Sequence, residues 1–335
     1  MSMKKSLLGV LLLLMMVMLS ACGGSTAAKT NPLIADDGGT KKQPENQDLK
    51  PKKNIALVMK TLTNPFFIEM EKGARRAESE LGINLIVKVG AKETSIEQQI
   101  AIVEELTRDK IDAIVIAPGS STELIPALKK AKDANIPIIN IDNRLDPKLS
   151  QEMGLGQIPF ISVNNEQGAY LAAKVLSDKI KKPTQAVIIE GIPGTDNGEQ
   201  RRRGAQRAFS ENPNIQLVAS QSAMWKIDEA MELTGKFFQR YPNIGVIFCA
   251  NDMMALGALQ YLEQTGKKDV LVAGYDALEE AKKAIQTGKL LATIDQQADV
   301  QGYTGVKYAM SAIQGNAVPV ETMVDVKLLQ ADNLP

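Results

Sequence analysis

From residue 54 to residue 273 the chain repeats one alternation, a short unbroken apolar run followed by a stretch with apolar residues at helical spacing. The runs include Asn54-Ile-Ala-Leu-Val-Met59, Leu85-Ile-Val87, Ala113-Ile-Val-Ile116 and Ile138-Ile-Asn-Ile141. Strands uninterrupted by polar positions imply burial on both faces, as in a parallel sheet covered by helices. The intervening segments supply those helices. Phe67, Met70, Ala74, Ala77 and Leu81 share one helical face, Gly82 is placed as the C-cap, and Pro137 opens a strand. The pattern resumes with a helix over 167–180, a strand at Ala186–Ile189, a helix near 199–210 and a strand at Ile215–Val218. A helix near 227–240, Val246–Phe248, a helix over 252–265 and Val270–Ala273 complete it. Two such sets predict an α/β fold of two doubly wound lobes. Ligands of open α/β sheets sit at the carboxyl ends of strands. Two lobes facing each other by those ends enclose one cleft, and the loops after the strands become the functional candidates.

Lys+Arg and Asp+Glu balance at 39 each, so no basic field attracts nucleic acid or an anionic membrane. Of the two cysteines, Cys249 lies in the apolar run Gly245-Val-Ile-Phe-Cys-Ala250 and reads as a buried strand residue, which leaves no disulfide framework. Histidine is absent, which removes the commonest general base and the commonest transition-metal ligand and argues against an enzyme. No cofactor or metal site is expected.

The N-terminus carries Lys4 and Lys5, then an almost unbroken Leu/Val/Met segment, then Leu19-Ser20-Ala21-Cys22. A positive start, a short apolar segment and small residues before a cut describe a secretory signal over 1–21. The segment is too short for a spanning helix, which needs ~20 apolar residues. A cysteine directly after Ser20-Ala21 resembles the bacterial lipoprotein box, which implies acylation of Cys22 and anchoring in the bilayer by two or more chains. Residues 22–52 are polar, with almost no apolar material, and read as a flexible tether. The protein is thus expected outside the cytoplasm, in a Gram-negative periplasm or on a Gram-positive surface.

The strand-end loops are Thr61-Leu-Thr-Asn-Pro-Phe-Phe67, Asp142-Asn-Arg144, Gly191-Ile-Pro-Gly-Thr195, Asn251-Asp252, Gly274-Tyr-Asp276 and Thr293-Ile-Asp-Gln296. With TLTNPFF, IPIINIDNR, EGIPGT, NDMMALGAL, GYD and GKLLATIDQ in order, the chain from about residue 53 to about 328 resembles the ribose/galactose-type periplasmic substrate-binding proteins of ABC transporters. That resemblance implies two Rossmann-like lobes joined by a three-crossing hinge and closing on a small sugar or polyol. The lobes would be 53–163 with 297–325, and 164–296 with 326–335. It also implies a monomer that delivers its ligand to an ABC permease.

Asn64 before Pro65 is an ideal helix cap, and in the family the matching asparagine bonds a sugar hydroxyl. Phe67 fits the buried helical stripe while Phe66 is better placed for the cleft, where the family lays an aromatic ring on a sugar face. Asp142 ends a buried strand, where a carboxylate needs partners and can accept from two hydroxyls. Asn251, Tyr275 with Asp276, and Gln296 match further ligand positions, and Trp225, the only tryptophan, matches an aromatic of the second lobe. Two departures stand out. The ribose pattern has arginine directly after the aspartate, and here Asn143 comes before Arg144. It also has an arginine after Gly-Thr, where this chain reads Asp196-Asn-Gly-Glu-Gln-Arg201. Aligned without a gap, Glu199 falls on that position, an acceptor in place of a fork of donors, which argues against ribose itself and leaves another pentose, a hexose or a linear polyol. A sugar-responsive regulator would need a helix-turn-helix where the signal stands. An extracellular carbohydrate-active enzyme would need a paired acid and base in context. A sensor that presents its closed form to a chemoreceptor or histidine kinase shares every feature above.

Overall fold

The structure, a computed structural model, describes residues 51–334, so the signal segment, Cys22 and nearly all of the tether lie outside the described residues. The first part of the chain runs β1 (Asn54–Met59), α1 (Pro65–Leu81), β2 (Asn84–Val89), α2 (Ile96–Arg108), β3 (Ala113–Ile116), α3 (Ile125–Asp133), β4 (Ile138–Ile141), α4 (Pro147–Glu152) and β5 (Phe160–Val163). It continues with α5 (Asn165–Lys179), β6 (Thr184–Glu190), α6 (Asp196–Ser210), β7 (Ile215–Ser222), α7 (Ile227–Arg240), β8 (Ile244–Cys249), α8 (Asp252–Gln264), β9 (Leu271–Ala273) and α9 (Glu279–Gln286). Last come β10 (Thr293–Asp295), α10 (Ala298–Ile313), β11 (Glu321–Val324) and β12 (Lys327–Leu329).

Six strands form one parallel sheet in the order β11-β5-β4-β3-β1-β2. Four form a second in the order β7-β6-β8-β9, and a bridge from Ala273 to Ala292 leads on to the antiparallel pair β10–β12. The chain passes from the first lobe to the second after β5, back after β10, and across again after β11. Both faces of the first sheet are covered, as its apolar strands require. Ile55, Leu57 and Met59 of β1 pack with Phe67, Met70 and Ala74 of α1 and Val306 of α10, while Ala56 and Val58 pack with Val103, Leu106 and Leu128 on the other side. Glycines let α10 return so closely to the first lobe: a Cβ on Gly73 would lie 1.8 Å from Asp299 O, and one on Gly302 2.1 Å from Met70 O. This contact fixes the end of β10, and with it Gln296, at the cleft.

A helix does start at Pro147, yet its cap is Asp146, whose Oδ1 accepts from Leu149 N at 2.7 Å. Asp142 is left free of that role. The helix expected near 199–210 begins earlier, at Asp196, which brings Asn197 into its first turn. No helix of the described residues is long and apolar enough to cross a membrane.

Candidate functional site

The strand ends of the two lobes face each other across a small, tightly closed cavity. The first lobe lines it with Lys60, Asn64, Phe66, Phe67, Glu93 and Asp142, and the second with Asn197, Arg201, Trp225, Asn251, Asp276 and Gln296.

Asn64 and Asn251 each do two things at once. Asn64 Oδ1 accepts from Phe66 N at 3.1 Å and caps α1, while its Nδ2 donates to Glu93 Oε1 at 2.9 Å at the cavity wall. Asn251 Oδ1 accepts from Met254 N at 2.9 Å and caps α8, which leaves its amide hydrogens for the cavity. Cap and ligand contact are not alternatives here, because the cap uses the oxygen and the nitrogen remains a donor. Phe66 and Phe67 both border the cavity, edge to face with ring centroids 5.1 Å apart.

Each lobe holds a buried ion pair. Lys60 Nζ lies 2.8 Å from Asp142 Oδ2, close enough for an ion pair though not aligned as a hydrogen bond, and Asn197 Nδ2 donates to Asp142 Oδ1 at 3.4 Å. Arg201 is fastened more fully: Nε donates to Asn165 Oδ1 at 2.8 Å, and Nη1 to Ala250 O at 2.9 Å and Asp276 Oδ1 at 3.4 Å. Its guanidinium lies 3.8 Å from the centroid of the Tyr275 ring. Gln296 Nε2 also donates to Asp276 Oδ1, at 2.7 Å. Burial pushes the Asp276 carboxyl well up, with Arg201 opposing, and pushes Glu93 up, with Lys60 and Asn64 opposing. Removing charges from water is costly, so each pair depends on the further hydrogen bonds around it.

The backbone is strained at the same places. Of the eight non-glycine residues at positive φ among the described residues, six stand at strand ends facing the cleft: Asp142, Met224, Trp225, Asp276, Ala277 and Gln297. Such conformations cost of order 1–3 kcal/mol each and cluster at functional sites. Trp225 lies over Gly191, where a Cβ would come 1.9 Å from the indole; only glycine leaves room for the ring. Its Nε1 is buried without a hydrogen-bond partner among the described residues, as is Gln296 Oε1. Unpaired buried polar atoms around a cavity mark it as a place where a polar molecule completes the bonding.

Four residues expected at the ligand stand elsewhere. Tyr275 is buried beneath Arg201 and orients it rather than bordering the cavity. Asn143 is buried between the lobes, with Nδ2 bonded to Pro118 O at 3.1 Å. Arg144 pairs with Glu321 of β11 and stacks over Phe160, 4.1 Å from the ring centroid. Glu199 is partly exposed and paired with Arg202 at 2.9 Å. On a helix, two residues correspond to about 200° of rotation, so Arg201 points into the cavity while Glu199 points away. The ungapped assignment of Glu199 to the arginine position is thereby corrected: Arg201 brings a guanidinium to the cavity, and the argument against ribose drawn from its absence lapses. Lys60, Glu93, Asn197 and Arg201 escaped the sequence reading. For Arg201 a signal existed, since Gly198, Arg201, Gly204, Ala205 and Ala208 form one buried stripe at spacings of three and four.

The fold and this cleft place the molecule among two-lobed extracytoplasmic binding proteins. The chain belongs to the periplasmic binding protein domain family, whose pattern matches residues 55–317. It is 37% identical over 267 residues to the D-ribose/D-allose-binding protein of Pseudomonas aeruginosa, covering 79% of this chain and 83% of that one. It is 33% identical over 279 residues to the D-allose-binding periplasmic protein of Escherichia coli, covering 82% and 90%. The crystal structure of an ABC transporter periplasmic solute binding protein from Actinobacillus succinogenes with bound D-allose superposes with a TM-score of 0.80 at 42% identity, over 84% of this chain and 98% of that one. These relatives are binding proteins, and so is this chain; it is not an enzyme.

Proposed function

We propose that the protein captures one neutral monosaccharide between its lobes, an aldose of the D-allose or D-ribose type, and delivers it to an ABC permease. The observation that carries this reading is the cavity's composition. Lys60 and Arg201 are paired with Asp142 and Asp276, the third carboxyl, Glu93, is pushed toward its neutral form by burial, and amide groups stand among Phe66, Phe67 and Trp225. Balanced fixed charges suit hydroxyls, which both donate and accept, and disfavour a net charge on the ligand. Aromatic rings suit the C–H faces of a sugar. Lobe closure removes water from these contacts. Among the relatives, two are named for D-allose, and D-allose sits in the superposed structure.

Calorimetric titration of the soluble domain with D-allose, D-ribose, D-glucose, ribitol and an anionic sugar phosphate tests the reading. Micromolar or tighter binding of an aldose, about −8 kcal/mol or better, is expected, and preference for the phosphate would overturn it. We further propose that the molecule works as a monomer held at the membrane by acylated Cys22. Cys22→Ser should release it from membranes in high-salt fractionation while sugar affinity is unchanged; retention in the membrane fraction would remove the lipid anchor from the proposal.

A further inference from the structure

Beside the cavity the two lobes also touch directly, at the start of α6. The first amides of a helix need acceptors from outside it. Thr195, the residue at the cap position, does not supply one, because its hydroxyl donates to Ile192 O at 2.7 Å. Gly198 N is satisfied within the turn by Asn197 Oδ1 at 2.8 Å, and Glu199 N by Thr195 O at 3.0 Å. The remaining two amides find acceptors on the other lobe. Asp196 N donates to Ser121 Oγ at 3.1 Å and Asn197 N to Asn143 Oδ1 at 3.4 Å. These acceptors are held by their own lobe, through Asn143 Nδ2 on Pro118 O and the Ser121 Oγ–Asn143 Oδ1 contact at 3.4 Å.

We propose that Ser121 and Asn143 form a closure latch: the first lobe supplies in trans the N-cap that α6 lacks, and so favours the closed form without touching the ligand. The inference rests on the reading of the cleft as a ligand site that opens and closes. Its logic is a difference between states. When the lobes separate, the Asp196 and Asn197 amides and both acceptors turn to water, so the cap contributes to closure and not to the stability of either lobe. It also assigns a task to Asn143. Asp142 turns into the cavity, and the next residue turns to the opposite lobe.

The test compares wild type with Ser121→Ala, which deletes one acceptor, and Ser121→Thr, which keeps it. Losing the acceptor should weaken D-allose and D-ribose alike, by about three- to tenfold, the size of a helix-cap effect. The change should lie in the dissociation rate, since the latch forms after encounter. Ser121→Thr should restore affinity, and melting without sugar should not change. Independently of any sugar, a spin label on each lobe should report a smaller closed fraction in Ser121→Ala. Affinity and interlobe distances both unchanged in Ser121→Ala would overturn the latch, as would a loss of affinity matched by a lowered sugar-free melting point. If wild type bound neither sugar, the proposed function would fail, and the interlobe distances would still decide the latch.

Discussion

The first lobe meets the cavity with Lys60 paired to Asp142, the second with Arg201 paired to Asp276, and all four side chains are almost wholly buried. Their surroundings differ. Lys60 has a carboxylate at 2.8 Å and the Phe67 ring 5.6 Å away, whereas Arg201 is tied to Asn165, Ala250 and Asp276 and lies over the Tyr275 ring. An ammonium is a point charge on a long stem, and a guanidinium is a planar fork with fixed directions. The second lobe thus presents a preorganised half-site, while the first presents a charge that can settle onto whatever closes over it. The same contrast appears where each lobe binds its strand-end loops together. The first uses neutral amides: Gln99 bridges Ala117 O and Gly119 N, and Asn140 bridges Asn143 O and Leu145 N. The second uses a carboxylate, Asp252, which accepts from Leu278 N and the Thr293 hydroxyl.

Removing the two cations separately should affect the two half-sites differently. Arg201→Met strands Asp276 and the Asn165 and Ala250 acceptors in the second lobe, and should cost the sugar-free protein about 3–5 kcal/mol, the range for breaking a buried pair. Lys60→Met removes fewer bonds and should cost about 1–3 kcal/mol, with its main effect on sugar affinity. Urea unfolding and calorimetry of both variants check this. Equal losses of stability would mean that the two halves are equally fixed.

Asp252 gives the contrast a pH signature. Burial pushes its carboxyl up to about 6, with Leu278 N–H and the Thr293 hydroxyl pulling it back. In the unfolded chain it loses its proton near ~4. Between these values the unfolded chain is ionised while the fold still holds the proton. The stability contributed by this group is therefore fully present below about pH 4, falls as pH rises toward 6, and is level above. The difference amounts to about 2–3 kcal/mol at ~1.4 kcal/mol per pKa unit. The stability of wild type relative to Asp252→Asn should thus decline by about that amount from pH 4 to pH 7. A flat difference would show that the second lobe's loops carry no such charge dependence.

The asparagine caps set a smaller, cleaner test. Asn251→Ser keeps an oxygen that can cap α8 and removes the amide donor without adding a charge, so stability should hold while sugar affinity falls by about one to two orders of magnitude, ~1–3 kcal/mol for a stranded partner. Calorimetry beside sugar-free melting separates the two. Reduced melting with normal affinity would make Asn251 a cap alone.

How much of this was legible in the sequence follows from where each residue stands. The sheets were, because runs such as Ala113–Ile116 admit only burial on both faces. So were the strand-end loops, and with them Asn64, Phe66, Asp142, Asn251, Asp276 and Gln296. Lys60 was hidden as the charge ending an apolar run, and Glu93 as one polar residue in the loop Gly90-Ala-Lys-Glu-Thr-Ser95. Arg201, Arg202 and Arg203 are three identical residues about 100° apart on a helix, and only its rotational phase separates the buried one from the solvated two. A one-dimensional alignment carries no phase unless the small-residue stripe is read, and so Glu199 took the place of Arg201.

That exchange yields the smallest expected effect. Glu199 faces Arg202 at 2.9 Å, both partly exposed, an i,i+3 pair of a kind worth about 0.3–0.5 kcal/mol. It lies near the start of α6, where its charge favours the helix by a similar few tenths. Glu199→Ala should therefore lower the melting temperature slightly and change sugar affinity by less than about twofold. Glu199→Arg, which installs the fork that the ungapped alignment asks for, should do no more, because the side chain points away from the cavity and Arg201 already holds the donor's place. A tenfold loss in Glu199→Ala, measured by calorimetry against the same aldose, would put α6 in a different phase. It would also return the second lobe's half-site to an acceptor in place of a fork.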